Sequence, residues 1–118
     1  VGAPLVQAVQ EANTALCQHA ARVGGDDFAT GLIGRVDLRT GTLDVVNAGH
    51  AAPFLIRSGT VSELSLQSDL PLGMFDDTTY TSTQVALVPG DRIVFVTRRW
   101  QVGVVVHDGS AFIPRATG

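Results

Sequence analysis

The chain has 118 residues, of which 45% are apolar, enough for one domain with a real core. Charged residues are 16%, against roughly 25% in an average globular protein, and a net charge of −3 argues against a general nucleic-acid or membrane-surface binder. A single cysteine, Cys17, excludes an internal disulfide framework and a cysteine-rich zinc site, and no apolar run nears the ~18 residues of a membrane span. No leader-like segment stands at the start, so the expected location is the cytoplasm. All eight cations are arginine, which reads as a coding bias.

Leu5, Val9, Ala12, Leu16 and Ala20 recur at spacings of three and four, which predicts a helix over 4–22 with those residues facing a sheet. Pro4 suits the first turn, and Gly24-Gly25 stops the helix. From Phe28 the period becomes two, which predicts a strand to Leu38, a turn at 39–41 and a second strand over 42–47. The loop 48–53 leads to Phe54-Leu55-Ile56, and Ser58-Gly59 signals a tight hairpin back through Val61–Leu66. A long connection over 68–77 follows. Tyr80–Leu87 and Arg92–Thr97 flank Pro89-Gly90-Asp91, a third hairpin signal. One helix followed by hairpins predicts an α+β fold with a predominantly antiparallel sheet or sandwich.

Four phrases stand in order along the chain. They are Phe28-Ala-Thr-Gly with its strand and Thr40-Gly41; Asn47-Ala-Gly-His-Ala-Ala-Pro53; Leu70-Pro-Leu-Gly-Met74; and Leu87-Val-Pro-Gly-Asp-Arg-Ile-Val-Phe-Val-Thr97. Together they resemble the metal-dependent PPM-type serine/threonine phosphatases, in the branch named after stage II sporulation protein E. That branch includes the bacterial phosphatases of sigma-factor partner switching. Asn13 loosely matches an Asn-rich feature of the helix there. The resemblance implies an antiparallel β-sandwich with flanking helices, here a partial domain with one N-terminal helix. It implies hydrolysis of phosphoserine or phosphothreonine on a regulatory protein of the anti-sigma-factor-antagonist type. It also implies a pair of Mn²⁺ or Mg²⁺ ions on aspartates, hard ions that take oxygen ligands. No nucleic acid or membrane partner is implied, and self-association as a homodimer is allowed.

Two departures bear on activity. The family's early aspartate phrases lie upstream of the helix, before residue 1; Gly24-Gly25-Asp26-Asp27 looks similar but follows the helix. The family's strand after Phe95-Val96 continues Thr-Asp-Gly, with that aspartate a metal ligand, whereas here Thr97 is followed by Arg98-Arg99-Trp100. Residues 1–97 are therefore read as a partial phosphatase domain lacking its N-terminal metal motifs. Residues 98–118 are read as a divergent tail, with a short strand over Val102–Val106. The chain alone is expected to bind no metal and to be catalytically incompetent. A non-catalytic pseudophosphatase or protein-interaction domain is the alternative. A cupin-like β-barrel is a lesser one, suggested by the Pro89-Gly90-Asp91 turn but lacking a His-x-His phrase.

Among single residues, His50 is the candidate general acid. The bland reading assigns Asn47, Gly49, His50, Pro53, Pro71, Gly73, Pro89, Gly90 and Asp91 to loop structure, with Gly49 permitting a positive φ. The acidic pairs Asp26-Asp27 and Asp76-Asp77 are candidate cation ligands, but they sit in turn contexts where aspartate caps backbone donors. His19 and His107 have no neighbour at metal-ligand spacing. Cys17 reads as a small hydrophobe, and Trp100 as a hydrophobic anchor.

Overall fold

The computed structural model describes residues 4–25, 28–96, 102–106 and 113–114. Helix α1 spans Leu5–Val23, and nine strands follow: β1 (Gly31–Asp37), β2 (Thr42–Ala48), β3 (Phe54–Arg57), β4 (Thr60–Glu63), β5 (Ser68–Asp69), β6 (Ser82–Ala86), β7 (Arg92–Val96), β8 (Val102–Val106) and β9 (Ile113–Pro114). One sheet has the order β1-β2-β5, with β6 also paired to β2; the other runs β4-β3-β7-β8-β9. The class is α+β, as the pattern of one helix and many short strands predicts. No helix among the described residues is long and apolar enough to cross a membrane.

Helix α1 begins immediately after Pro4, whose carbonyl accepts the Gln7 and Ala8 amides at 3.1 and 3.4 Å. It ends at Gly24, in the left-handed conformation at φ 70°, where a side chain would be strained. The buried face differs from the expected one. Leu5, Val9 and Asn13 are buried, while Ala12 and Leu16 are exposed. The buried positions are spaced by four, and the third is polar, because Asn13 has backbone partners on a loop, described below. Apolar periodicity therefore misplaces the inward stripe by part of a turn.

The chain forms two compact units. The first contains Val1–Arg35, Asp44–His50 and Leu66–Gln84. Its core is Leu5, Val9, Val46, Ala48 and Tyr80, with Val6, Ile33 and Leu72 packed against it. Each large aliphatic group so buried contributes about 1.5–3 kcal/mol. The second unit contains Val36–Leu43, Ala51–Ser65 and Val85–Gly118. Its buried apolar residues include Leu43, Leu55, Leu87 and Ile93.

Several local expectations need correction. The first strand starts at Gly31, not Phe28; before it, Ala29 makes a single antiparallel bridge with Leu72. The Ser58-Gly59 hairpin is present, with Arg57 opposite Thr60 and both turn residues at positive φ (50° and 78°), as a type I′ turn requires. Its return strand ends at Glu63: the Leu64 amide still bonds the carbonyl of Pro53 opposite it at 2.9 Å, but proline has no N–H to return the bond. The connection over 68–77 contains β5, which pairs parallel with the end of β2 (Asn47 opposite Ser68, Ala48 opposite Asp69). This two-residue pairing departs from a purely antiparallel scheme. Pro89-Gly90-Asp91 makes a tight turn but not a hairpin: β6 pairs with β2, and β7 pairs with β3 and β8. Strand β8 adds to β7 over five positions, from Arg92 opposite Val106 to Val96 opposite Val102. Asp26, Asp27, Thr97, Arg98, Trp100 and His107 lie outside the described residues.

Candidate functional site

In the first unit, two motif loops meet around a set of hydrogen bonds. Asn47, at the end of β2, is buried, and its Oδ1 accepts the His50 amide at 2.8 Å. That bond folds the Asn47–His50 turn on itself. Gly49 follows with φ 69°, and a Cβ added there would stand 2.8 Å from Pro71 Cγ. Only glycine satisfies both the backbone conformation and the approach of the proline ring. The Asn-Ala-Gly-His and Leu-Pro-Leu-Gly phrases are thus in contact through Gly49 and Pro71.

The second loop is held from three directions. Tyr80 Oη donates to the Pro71 carbonyl at 3.2 Å. Asp69 Oδ2 accepts the Thr81 amide at 2.8 Å. Asn13, 1% exposed on α1, accepts the Gly73 amide on Oδ1 at 2.7 Å and donates from Nδ2 to the Phe75 carbonyl at 2.9 Å. Both faces of the Asn13 amide are therefore used, which is how a buried polar side chain avoids a desolvation penalty. Burial holds the Tyr80 phenol above its ordinary pKa of 10.0.

In the second unit, Asp91 closes the Pro89-Gly90-Asp91 turn. Its Oδ2 accepts the Val88 amide at 2.9 Å, and its own amide donates to the Val88 carbonyl at 3.1 Å. Arg57 grips the same carboxylate with two nitrogens, Nε to Oδ1 at 2.9 Å and Nη2 to Oδ2 at 2.6 Å. Nη2 also donates to the Ala86 carbonyl at 3.1 Å. This fork-to-fork geometry is the strong form of an ion pair. The Asp91 side chain raises the Arg57 pKa, so the guanidinium stays charged.

The other candidates are dispersed. Asp76 and Asp77 are exposed in a turn closed by the Thr78 amide and hydroxyl on the Phe75 carbonyl. Cys17 is half-buried, its Sγ 4.0 Å from Asn13 Oδ1, and His19 is exposed. Pro53 is buried. Sequence reasoning missed Arg57, Asp69 and Tyr80 and gave Asn13 no role. The available signal for Asn13 was its place in the series 5, 9, 13.

Among the described residues, no three His, Cys, Asp or Glu side chains stand close enough together to hold a metal ion. Asp91 is committed to Arg57, Asp69 to the Thr81 amide and Asp37 to the Arg39 amide at 3.0 Å. Asp44 has a buried Oδ1 without a hydrogen-bond partner, but it belongs to no such three-ligand cluster among the described residues. These donors do not fit a two-metal phosphatase centre, which needs several convergent oxygens.

Comparison with known proteins places this architecture. The crystal structure of the RsbU and RsbW domains of Rv1364c from Mycobacterium tuberculosis is similar with a TM-score of 0.62 and 27% identity, over 81% of this chain and 26% of that one. Protein IcfG of Synechocystis is 29% identical over 67 residues, 57% of this chain and 11% of that protein. The phosphatase domain of SpoIIE from Bacillus subtilis gives 12% identity and a TM-score of 0.46, over 80% of this chain and 46% of that one. The chain thus spans about a quarter of the mycobacterial chain and a ninth of the cyanobacterial protein. The sequence model of the family described as stage II sporulation protein E (SpoIIE) matches residues 1–97, which sets aside a cupin-like barrel. By that match, and by the order of its motif loops on this fold, the chain belongs to the stage II sporulation protein E family, a branch of the PPM-type protein phosphatases.

Proposed function

We propose that this chain is part of a cytoplasmic serine/threonine phosphatase domain that acts on a phosphorylated regulatory protein of the anti-sigma-factor-antagonist type, with Mn²⁺ or Mg²⁺ as the family's cofactor. The observation that carries the reading is the joining of the family's phrases into one hydrogen-bonded patch: Asn47, Gly49 and His50 against Pro71, with Gly73 held by Asn13. The mycobacterial relative carries an RsbU and an RsbW domain in one structure, which supports a partner of the partner-switching kind. Residues 1–97 carry the phosphatase domain, and residues 98–118 are a tail of separate character. The motif residues Asn47, Gly49, His50, Pro53, Pro71, Gly73, Pro89, Gly90 and Asp91 build loops and do not themselves perform the chemistry.

This polypeptide on its own turns over no phosphoprotein. The described donors do not assemble a metal centre, and Arg98 stands where the family's Thr-Asp-Gly phrase would place a ligand. An arginine there replaces a carboxylate oxygen by a cation, which repels a divalent ion. The carboxylates of the reaction must then come from outside these residues. The same arginine favours a second reading, a pseudophosphatase that binds its phosphoprotein without hydrolysing it. Calorimetry with Mn²⁺ and a phosphopeptide assay on the unmodified chain test the proposal. The expected outcome is neither micromolar Mn²⁺ binding nor turnover, for the chain and for Arg98→Asp alike. Supplying the upstream family segment together with Arg98→Asp is expected to give turnover; the same segment with Arg98 retained separates the readings, since a phosphatase then turns over the phosphopeptide and a pseudophosphatase does not. Mn²⁺-dependent turnover by the unmodified chain would overturn the claim of incompetence and make Asp76 and Asp77 the first residues to mutate.

A further inference from the structure

Strand β4 is the outer strand of the β4-β3-β7-β8-β9 sheet. All four of its residues are exposed, Val61 at 61%. Its pairing with β3 fixes where its backbone groups point. Arg57 and Thr60 close the two-residue turn as a hydrogen-bonded pair, and the Leu64 amide bonds the Pro53 carbonyl. Such pairs alternate along an antiparallel ladder, so Thr60 and Ser62 turn their amides and carbonyls towards β3, whereas Val61 and Glu63 turn theirs to the open edge. Natural edges are commonly guarded by proline, lysine or a bulge. This strand contains no proline or lysine, and its register with β3 runs unbroken from Phe54 opposite Glu63 to Arg57 opposite Thr60.

We infer that this edge is a contact between two copies of the chain, in which β4 pairs antiparallel with β4 of the second copy about a two-fold axis at Val61. The strand's own residues select that occupant and that register. Outward-turned groups meet in phase when the axis falls on Thr60, Val61, Ser62 or Glu63. An axis on Glu63 sets carboxylate against carboxylate, one on Ser62 sets Val61 against Glu63, and one on Thr60 leaves Val61 opposite Gly59 of the turn. An axis on Val61 sets valine against valine and Thr60 against Ser62 twice, pairs that stabilise a ladder. Each Glu63 then lies opposite Gly59 of the other copy, with no like charge facing it. Ile56 stands opposite Val61, and Arg92 opposite Ile56, so these three residues and their symmetry mates form one row across a single face of the joined sheet. A contact of four residues a side falls short of the roughly 1,000 Å² of a stable interface, so the association is weak and transient. The inference concerns this edge alone and is independent of the phosphatase reading.

The test is NMR spectroscopy of the 118-residue chain, diluted from about 1 mM to about 50 µM across an expected dissociation constant on the order of 0.3 mM. The Val61 amide proton is expected to shift upfield on dilution as its bond to the second copy is lost, while those of Thr60 and Ser62, already bonded to β3, hold their positions. Val61→Pro removes the outward N–H and leaves the bonds to β3 in place. Val61→Lys keeps the N–H and sets two cations together at the axis. Each variant is expected to keep the fold, checked by its dispersed spectrum, and to raise the dissociation constant about tenfold or more. Spectra that do not change with concentration, changes centred on a different segment, or association unaltered in Val61→Lys would each overturn the proposal.

Discussion

Tyr80 shows how one side chain ties a motif loop to a core. Its ring is buried with Leu5, Val9, Val46 and Ala48, and its hydroxyl reaches the Pro71 carbonyl. Tyr80→Phe keeps the ring and removes the bond, at a cost of about 1 kcal/mol near pH 7. The folded state holds this phenol protonated above its ordinary 10.0, because burial disfavours the phenolate. A raised folded pKa means stability that is complete below pH 10 and lost as pH rises through the folded value. Urea unfolding of both proteins from pH 7 to 11 is expected to show the wild-type advantage shrinking above pH 10, since Tyr80→Phe has no proton to lose. A constant difference across that range would show that the phenol is not coupled to folding. Asp91 illustrates the limit of reading single residues. Its place in a Pro-Gly-Asp turn was visible in the sequence, but its partner Arg57 lies 34 residues away and is specified only by the pairing of β3 with β7.

At the scale of elements, α1 was legible in its extent and less so in its orientation. Capping by Pro4 and Gly24 is local chemistry, and the sequence carries it. Which side faces inward depends on what the helix meets, and α1 meets the backbone of residues 73–75 through Asn13. Asn13→Ala leaves the Gly73 amide and the Phe75 carbonyl without this partner and is expected to cost about 2–3 kcal/mol. Asn13→Asp keeps the acceptor for Gly73 but sets a carboxylate against the Phe75 carbonyl, so it is expected to recover little of that loss. Denaturant unfolding gives the magnitudes, and the Gly73 amide resonance reports whether its hydrogen bond survives. An Asn13→Ala protein as stable as the parent would mean that loop 70–75 is held by Tyr80 and Asp69 alone. The hairpins were legible where two-residue turn chemistry decides the geometry, as at Ser58-Gly59. The turn at 87–91 was not, because a Pro-Gly-Asp turn is compatible both with a hairpin and with a passage from one sheet to another.

At the scale of the molecule, composition and the order of elements led to the α+β class, and the four motif phrases led to the family. What the sequence withheld was partnership between distant segments: β5 beside β2, Asn13 beneath Gly73, and Arg57 on Asp91. Strand β2 has one more property of this kind. It lies between β1 and β5 and also pairs with β6, and four consecutive residues, Val45, Val46, Asn47 and Ala48, are buried on both faces. Its amides are shielded by neighbours in the sheet and by packing above and below it, so solvent reaches them only when the structure around them opens. In deuterated water, the amides of residues 45–48 are expected to be among the last to lose their protons, at rates set by global unfolding. Those of β4, exposed at all four positions on a sheet edge, are expected to be among the first. If the two exchanged at similar rates, the central strand would be opening without the rest of the chain. The motif phrase that ends in His50 begins on that strand, so the order of exchange also measures how firmly this loop is anchored.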